Sequence, residues 1–173
     1  MTSDSVIKTK RLTLRPLADA DAPMISLYIG DWRVSKYLDR APYPYPDGAA
    51  DAFIAATRHP DFEDHVWAVA KDNQLIGVIA IGRGEDGLGN VGYWLAPQLW
   101  GGGFMPEALE AVIEFAKENG FLKLDASVHQ GNDGSVKVLL KCGFDYVGDG
   151  ECTSVSRGAT VASWCYELDL TDD

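Results

Sequence analysis

The run Trp100-Gly101-Gly102-Gly103-Phe104 stands between a β-type segment, Asn90–Leu95, and a helix-type segment that opens at Pro106. Glycines remove Cβ atoms where a backbone must approach a ligand closely, and proline at a helix start costs no hydrogen bond because the N–H there is free anyway. Free N–H groups at a helix start, with the positive end of the helix dipole, form a phosphate site. The order strand, glycine loop, helix is open at this point between a phosphate cradle and a tight connection. The helix is well marked. Met105, Ala108, Leu109, Val112, Ile113 and Ala116 fall on one face, Glu107, Glu110, Glu114 and Lys117 project elsewhere, and Gly120 stands where a left-handed cap is expected.

The remaining pattern divides into thirds. Lys10–Leu17 alternates basic and apolar residues and predicts a first strand; Asp19–Ile29 and Asp31–Leu38 predict two short helices. The prolines of Ala41–Pro46 require an extended loop, and a helix of about three turns follows from Asp47. Val66–Ala70, Leu75–Ile81 and Asn90–Leu95 predict three strands of an antiparallel meander, the last two joined by the glycine-rich Gly82–Gly89. After the Pro106–Asn119 helix come Leu122–Val128 as a strand, Asp133–Lys141 as a helix, and Phe144–Gly148 and Thr160–Leu170 as strands. The fold class expected is α/β (α+β), a mixed, mostly antiparallel central sheet flanked by helices.

A chain of 173 residues with 46% hydrophobic and 24% charged residues suits one packed domain spanning residues 1–173. No apolar stretch approaches the roughly 20 residues of a membrane-spanning helix, and the N-terminal MTSDSVIKTKRLTLRP lacks the apolar core of a secretory signal. The expectation is a cytoplasmic protein with no membrane partner. Cys142, Cys152 and Cys165 form no CxxC pair, which favours reduced thiols over a zinc site, so no metal is expected. The net charge of −11 disfavours nucleic acid and permits a cationic acceptor, although solubility alone accounts for an acidic surface.

Two other phosphate motifs fail on context. Gly82-x-Gly84-x-x-Gly87 has the spacing of a dinucleotide fingerprint, but β-type residues resume at Asn90, so no helix N-terminus follows it. No GK[ST] follows Gly101–Gly103, which removes the lysine and magnesium-binding hydroxyl of a nucleoside triphosphatase.

Gln98-x-x-Gly101-x-Gly103 matches the Q/R-x-x-G-x-G/A signature of the GNAT acyltransferase superfamily. GYWLAPQLWGGGFMPEAL at Gly92–Leu109, VHQGNDGSVKVLLKCGF at Val128–Phe144, the opening KRLTLRPL and the LIG of Leu75–Gly77 resemble its RimJ/RimL-like branch across nearly the whole chain. The resemblance implies a sheet splayed into a V-shaped acyl-CoA groove between Val91–Leu95 and Leu122–Val128. It implies acetyl-CoA (coenzyme A) as donor, with its pyrophosphate on Gln98, Trp100, Gly101, Gly102, Gly103, Phe104 and Met105. Its pantetheine arm is expected to lie along the backbone near Trp94 and Leu95, with Asn132 and Ser135 beside it. An amine acceptor is implied, either a small amine or a protein or peptide N-terminus, and the protein is expected to be a monomer or homodimer.

Transfer to an amine needs a donor for the carbonyl oxygen as it becomes negative, a proton for the departing thiolate, and a neutral nucleophile. The resemblance assigns the first to the backbone N–H of Leu95. Where many relatives carry an acidic tyrosine this chain has Leu139, and Ser135, one turn earlier, is the candidate acid; a serine there also caps its own helix. Lys141 suits the C-terminal end of its helix better than a phosphate. Asn90 replaces the glutamate that relatives often carry as base, leaving Glu85, Asp86 and Asp47 as candidates. Cys142 is disfavoured as a nucleophile by its place at a helix C-terminus, and His59, His65 and His129 show no accompanying triad or ligand pattern. Trp32, Tyr37, Tyr43, Tyr45 and Asn90 are the candidate acceptor-binding residues, although aromatic residues beside prolines also pack simply against one another. Direct transfer in a ternary complex is expected, with a catalytically weak acyl-CoA-binding sensor of the same fold as the alternative.

Overall fold

The computed structural model describes residues 5–171; the first four residues of the N-terminal stretch read above, and the last two of the expected 1–173 domain, lie outside them. Eight strands form one sheet: β1 (Ile7–Lys8), β2 (Thr13–Arg15), β3 (His65–Lys71), β4 (Gln74–Arg83), β5 (Leu88–Leu95), β6 (Lys123–His129), β7 (Asp145–Ser154) and β8 (Ala159–Asp169). Their spatial order is β1-β2-β3-β4-β5-β6-β8-β7, and only the β5–β6 pair is parallel. Five helices accompany them: α1 (Ala22–Ile29), α2 (Trp32–Ser35), α3 (Ala49–Thr57), α4 (Phe104–Glu118) and α5 (Asp133–Lys141).

The sheet carries a core on each face. Even-numbered Leu124, Ala126 and Val128 of β6 and odd-numbered Val91 and Leu95 of β5 pack with Met105, Leu109 and Val112 of α4 and Leu139 of α5. On the opposite face Val66, Ala68, Val78 and Trp94 pack with Ile25 and Ile29 of α1 and Ala50 and Ile54 of α3. At roughly 1.5–3 kcal/mol for each fully buried aliphatic side chain, these faces fix which side of each strand looks where.

Several boundaries differ from expectation for local reasons. The expected Lys10–Leu17 strand shrinks to β2, Thr13–Arg15, because Thr9 N–H bonds Leu12 C=O at 2.9 Å and turns the chain there, and the separate β1 precedes that turn. The second expected helix shrinks to Trp32–Ser35, started by the Asp31 carboxylate on Arg33 N–H. The Gly82–Gly89 loop is half strand: β4 runs to Arg83 and β5 resumes at Leu88, Gly84 N–H meets Leu88 C=O at 2.8 Å, and the tip between them has positive φ at Asp86 and Gly87. β7 continues past Gly148 to Ser154, where alternation with glycine at 148 and 150 had hidden the strand.

One buried ion pair anchors the start of α1. Asp21, 5% exposed, receives both outer nitrogens of Arg15 at 2.8 Å and the N–H of Ala18 at 2.8 Å. Burial alone would raise the Asp21 pKa, but the Arg15 and Ala18 bonds outweigh it and hold the carboxyl below its ordinary value. A depressed folded-state pKa contributes stability above the unfolded value, and that contribution is lost as pH falls through the folded value. Asp21→Asn is expected to cost about 2 kcal/mol near neutral pH, with the gap to wild type closing in acid. Urea melts of both proteins across that range check it.

Candidate active site

The β5–β6 junction opens where the resemblance predicts. Leu88, Gly89 and Asn90 pair with Lys123, Leu124 and Asp125, and pairing stops there, while β4 follows β5 to Leu95 and β8 follows β6 to His129. Hydrogen bonds Gly84 N–H to Leu88 C=O and Ala96 N–H to Ile76 C=O fix the antiparallel alternation at both ends of β4–β5. By that alternation the main-chain groups of Gly92 and Trp94 serve β4, whereas those of Tyr93 and Leu95 turn towards β6, beyond the last β5–β6 pair. The same reasoning from Gln130 N–H to Ala162 C=O and Leu170 N–H to Leu122 C=O turns the main chain of Ser127 into the gap. Leu95 thus faces the groove with its N–H; Trp94 turns its backbone to β4, and its side chain packs against Tyr28.

Gly77 helps to open the gap. A Cβ on it would lie 2.4 Å from Trp94 C=O and 3.2 Å from Leu95 Cα, so glycine alone lets β4 draw the end of β5 this close and away from β6.

The loop that follows carries the cradle. Gly101 and Gly103 have φ of +80° and +78°, and Gly103 is the residue before α4, whose first helical bond runs from Glu107 N–H to Gly103 C=O at 3.2 Å. The helix therefore begins at Phe104, not at Pro106. Pro106 is its third residue, still among the first positions where a missing N–H costs nothing, and the N–H groups of Gly103, Phe104 and Met105 are the ones left without intrahelical partners. Trp100 is 51% exposed and anchored by its indole N–H on Leu95 C=O at 2.8 Å. Gln98 is exposed, with its amide 3.3 Å from the Tyr28 hydroxyl.

Arg11 is a part of this site that sequence reasoning missed. Its guanidinium bonds Glu107 at 2.8 Å and Gly102 C=O at 3.0 Å, and it lies 4.3 Å from the centre of the Phe104 ring. Burial would raise the Glu107 pKa, but Thr9 and Arg11 hold it below the usual range. A carboxylate next to a phosphate cradle is thereby neutralised. No local signal links residues 96 positions apart.

Across the gap, Asn132 caps α5 with its carbonyl oxygen 3.4 Å from Ser135 N–H. The Ser135 and Tyr93 hydroxyls are 2.9 Å apart, and the enclosed phenol of Tyr93 is pushed well above its ordinary pKa by burial. Ser135 therefore meets the β5 arm on the face that also carries α4, while Asn132 holds the start of its own helix. Burial pushes the Cys142 thiol up to about 11, so it is a protonated, inert group, and all three cysteines are free. Lys141 is exposed in the last turn of α5.

On the acceptor side the candidates divide. Trp32 and Tyr43 pack against each other with ring centres 5.0 Å apart and planes tilted by 59°, and Tyr45 packs into the α1–α3 core. Tyr37 reaches the end of β6, with its hydroxyl on Gly131 C=O at 3.2 Å and its ring edge-on to His129. Asn90 donates to Asp125 at 2.5 Å. Glu85 and Asp86 sit at the β4–β5 tip, at the closed end of the groove and roughly 30 Å along the strand from Leu95; this removes both as bases. Asp47 is exposed in the loop before α3.

The histidine expectation is corrected at one position. His59 is exposed and His65 is buried against Trp67, but His129, 2% exposed, sits between Asp39 at 2.6 Å and Arg157 at 2.8 Å. Its partners lie 90 and 28 positions away in sequence, which is why no spacing pattern revealed them.

Comparison with known proteins agrees with this geometry. The chain is 29% identical over 167 residues to p20, an uncharacterized N-acetyltransferase of Bacillus licheniformis, covering 92% of this chain and 93% of that protein. Among solved structures, RimL, a ribosomal alpha-N-protein acetyltransferase in complex with coenzyme A, superposes with a TM-score of 0.84 at 18% identity, covering 98% of this chain and 100% of that one. The ribosomal-protein-S5-alanine acetyltransferase of Vibrio fischeri gives 0.79 at 21% identity, covering 98% of both chains. These two show likeness of fold. The family model described as acetyltransferase (GNAT) domain matches residues 11–145, and the chain belongs to the GNAT acetyltransferase family.

Proposed function

We propose that this chain, read as a single domain over residues 1–173, is an acetyl-CoA-dependent N-acetyltransferase of the RimJ/RimL-like type that acetylates a primary amine by direct transfer. The observation that carries the proposal is the continuity between the main-chain groups that face the gap, those of Tyr93 and the N–H of Leu95, and the glycine cradle at Gly101–Gly103. The pattern fits a ligand with a linear amide-bearing arm and a pyrophosphate head.

Acetyl-CoA supplies an activated acetyl thioester. In this reading, the N–H groups of Gly103, Phe104 and Met105 hold its pyrophosphate at the positive end of α4, with Gln98, Trp100, Gly101 and Gly102 forming the rest of the cradle. Leu95 N–H donates to the acetyl oxygen as negative charge develops there. Asn132 fixes the first turn of α5, which sets Ser135 beside Tyr93. The Ser135 hydroxyl relays a proton to the departing sulfur and takes in exchange the proton that the amine nitrogen loses as its bond to the acetyl carbon forms, and Tyr93, kept protonated by burial, orients that hydroxyl.

Ser135→Ala is expected to lower kcat about ten-fold. This is less than general acids usually contribute, because a thiolate is a stable leaving group. The Kd for acetyl-CoA is expected to remain unchanged. Stopped-flow turnover and calorimetry on the same preparation separate the two.

Amine identity is addressed by a panel of aminoglycosides, polyamines and peptides with free N-termini, following release of coenzyme A together with the acetylated product. Stoichiometric appearance of both with at least one amine is the expected result. Tight acetyl-CoA binding with no product across the panel would replace the enzyme by a sensor of the same fold. Three free cysteines support a reducing, cytoplasmic setting, and among the described residues no helix is long and apolar enough to cross a membrane.

A further inference from the structure

The Asp39–His129–Arg157 cluster has no part in the chemistry above, yet it lies at the mouth of the groove. Leu124, Ala126 and Val128 point into the α4–α5 core, so Asp125, Ser127 and His129 point to the opposite face. The donor-binding helices leave that face free for the acceptor. On the same face Gly92 has open space where a Cβ would stand. His129 lies four residues beyond the last β5–β6 pair, level with the open end of β5.

The hydrogen-bond chain has only one consistent arrangement. Arginine can only donate, so Nδ1 of His129 must accept from Arg157 at 2.8 Å. The ring is then neutral with its proton on Nε2, and that N–H donates to Asp39 at 2.6 Å. Asp39, His129 and Cys152 offer donor atoms within 4.8 Å of one another, but a protonated Nε2 is not a metal ligand, and Arg157 favours this tautomer. Asp39 is therefore a carboxylate fixed from behind by a buried ring while its own side chain stays 56% exposed. Its backbone is held too, by Val155 N–H on Asp39 C=O at 3.0 Å. A rigid, half-exposed anion held by a ring that Tyr37 packs against edge-on is preorganised to receive a cation.

We propose that Asp39 is the residue that binds the ammonium group of the acceptor, with His129 and Arg157 as its positioning residues, so that the acceptor is a molecule arriving as a primary ammonium ion. The proposal rests on the acetyltransferase reading for the meaning of the bound amine, but the site can be tested without turnover.

Asp39→Asn is the informative variant. The amide oxygen still accepts from His129, so the hydrogen-bond chain survives and only the negative charge is lost. Butylammonium, titrated against the full chain with and without coenzyme A, is expected to shift the His129 ring resonances in wild type and not in Asp39→Asn. Neutral butanol is expected to shift neither. With a peptide bearing a free N-terminal alanine, KM is expected to rise about ten-fold in Asp39→Asn, with kcat within about two-fold and the Kd for acetyl-CoA unchanged. Arg157→Gln is expected to release the tautomer, seen in the His129 ring nitrogen shifts. A butylammonium response that persists in Asp39→Asn overturns the proposal, as does an unchanged KM or a loss confined to acetyl-CoA affinity. Failure of wild type to bind coenzyme A sinks the acetyltransferase reading instead, and leaves the butylammonium result to stand or fall alone.

Discussion

Gly101→Asp is expected to leave the protein folded and to abolish acetyl-CoA binding. A Cβ at residue 101 meets nothing within 4 Å, so the new side chain displaces no neighbour. The left-handed conformation, φ +80°, costs a non-glycine residue about 1 kcal/mol, and aspartate tolerates it better than most. The carboxylate enters the loop that precedes the free N–H groups of α4. Two like charges about 4 Å apart at a protein surface repel by roughly 4 kcal/mol, a factor near a thousand in affinity. Calorimetry with acetyl-CoA and a thermal melt, run together, separate this effect from unfolding. Unchanged affinity in a folded variant would remove the pyrophosphate from this loop.

Gly77→Ala is expected to cost about 3 kcal/mol of stability and most of the activity, although residue 77 lies on β4, outside the cradle. The added methyl lies 2.4 Å from Trp94 C=O, a backbone atom that no rotamer change can move. The strand itself must shift, and the only free direction for the end of β5 is away from β4, into the groove. That moves Leu95 N–H, the donor for the developing oxyanion, and narrows the gap that Tyr93 and Leu95 line. Denaturant melts and kcat/KM measured on the folded fraction check both parts. A variant that is stable and fully active would show that the close approach at Gly77 is not what opens the sheet.

The parts of this account that were legible in the sequence are those encoded locally. The α4 face from Met105 to Ala116 follows a helical period, Gly120 ends it, and the glycine loop announces a backbone that must come close to something. Nearly all of the strand and helix set follows from such short-range patterns. Boundaries were lost where glycine broke the pattern without breaking the strand, as at Gly82 and Gly148. Pro106 suggested a helix start two residues late, because its tolerance extends over the whole first turn.

The site was legible on its donor side for the same reason: Gln98 to Met105 is one contiguous segment. The acceptor side is assembled by the sheet from distant pieces. Asp39 leaves α2, His129 ends β6 and Arg157 turns the β7–β8 hairpin, so no window of sequence contains two of them. Arg11 and Glu107 meet for the same topological reason. Conversely, Glu85 and Asp86 looked plausible as bases by proximity in sequence to Asn90, and the length of β5 carries them to the wrong end.

The central claim is that acetyl-CoA lies in the β5–β6 gap with its pyrophosphate on the first turn of α4. Amide hydrogen exchange with and without acetyl-CoA tests it residue by residue. Protection is expected at Tyr93 and Leu95, whose N–H groups face the gap, and at Gly103, Phe104 and Met105, whose N–H groups have no helical partner, with Gly92 and Trp94 little changed because β4 already holds them. Protection elsewhere on the chain, with these five amides exchanging as freely as before, would contradict the account.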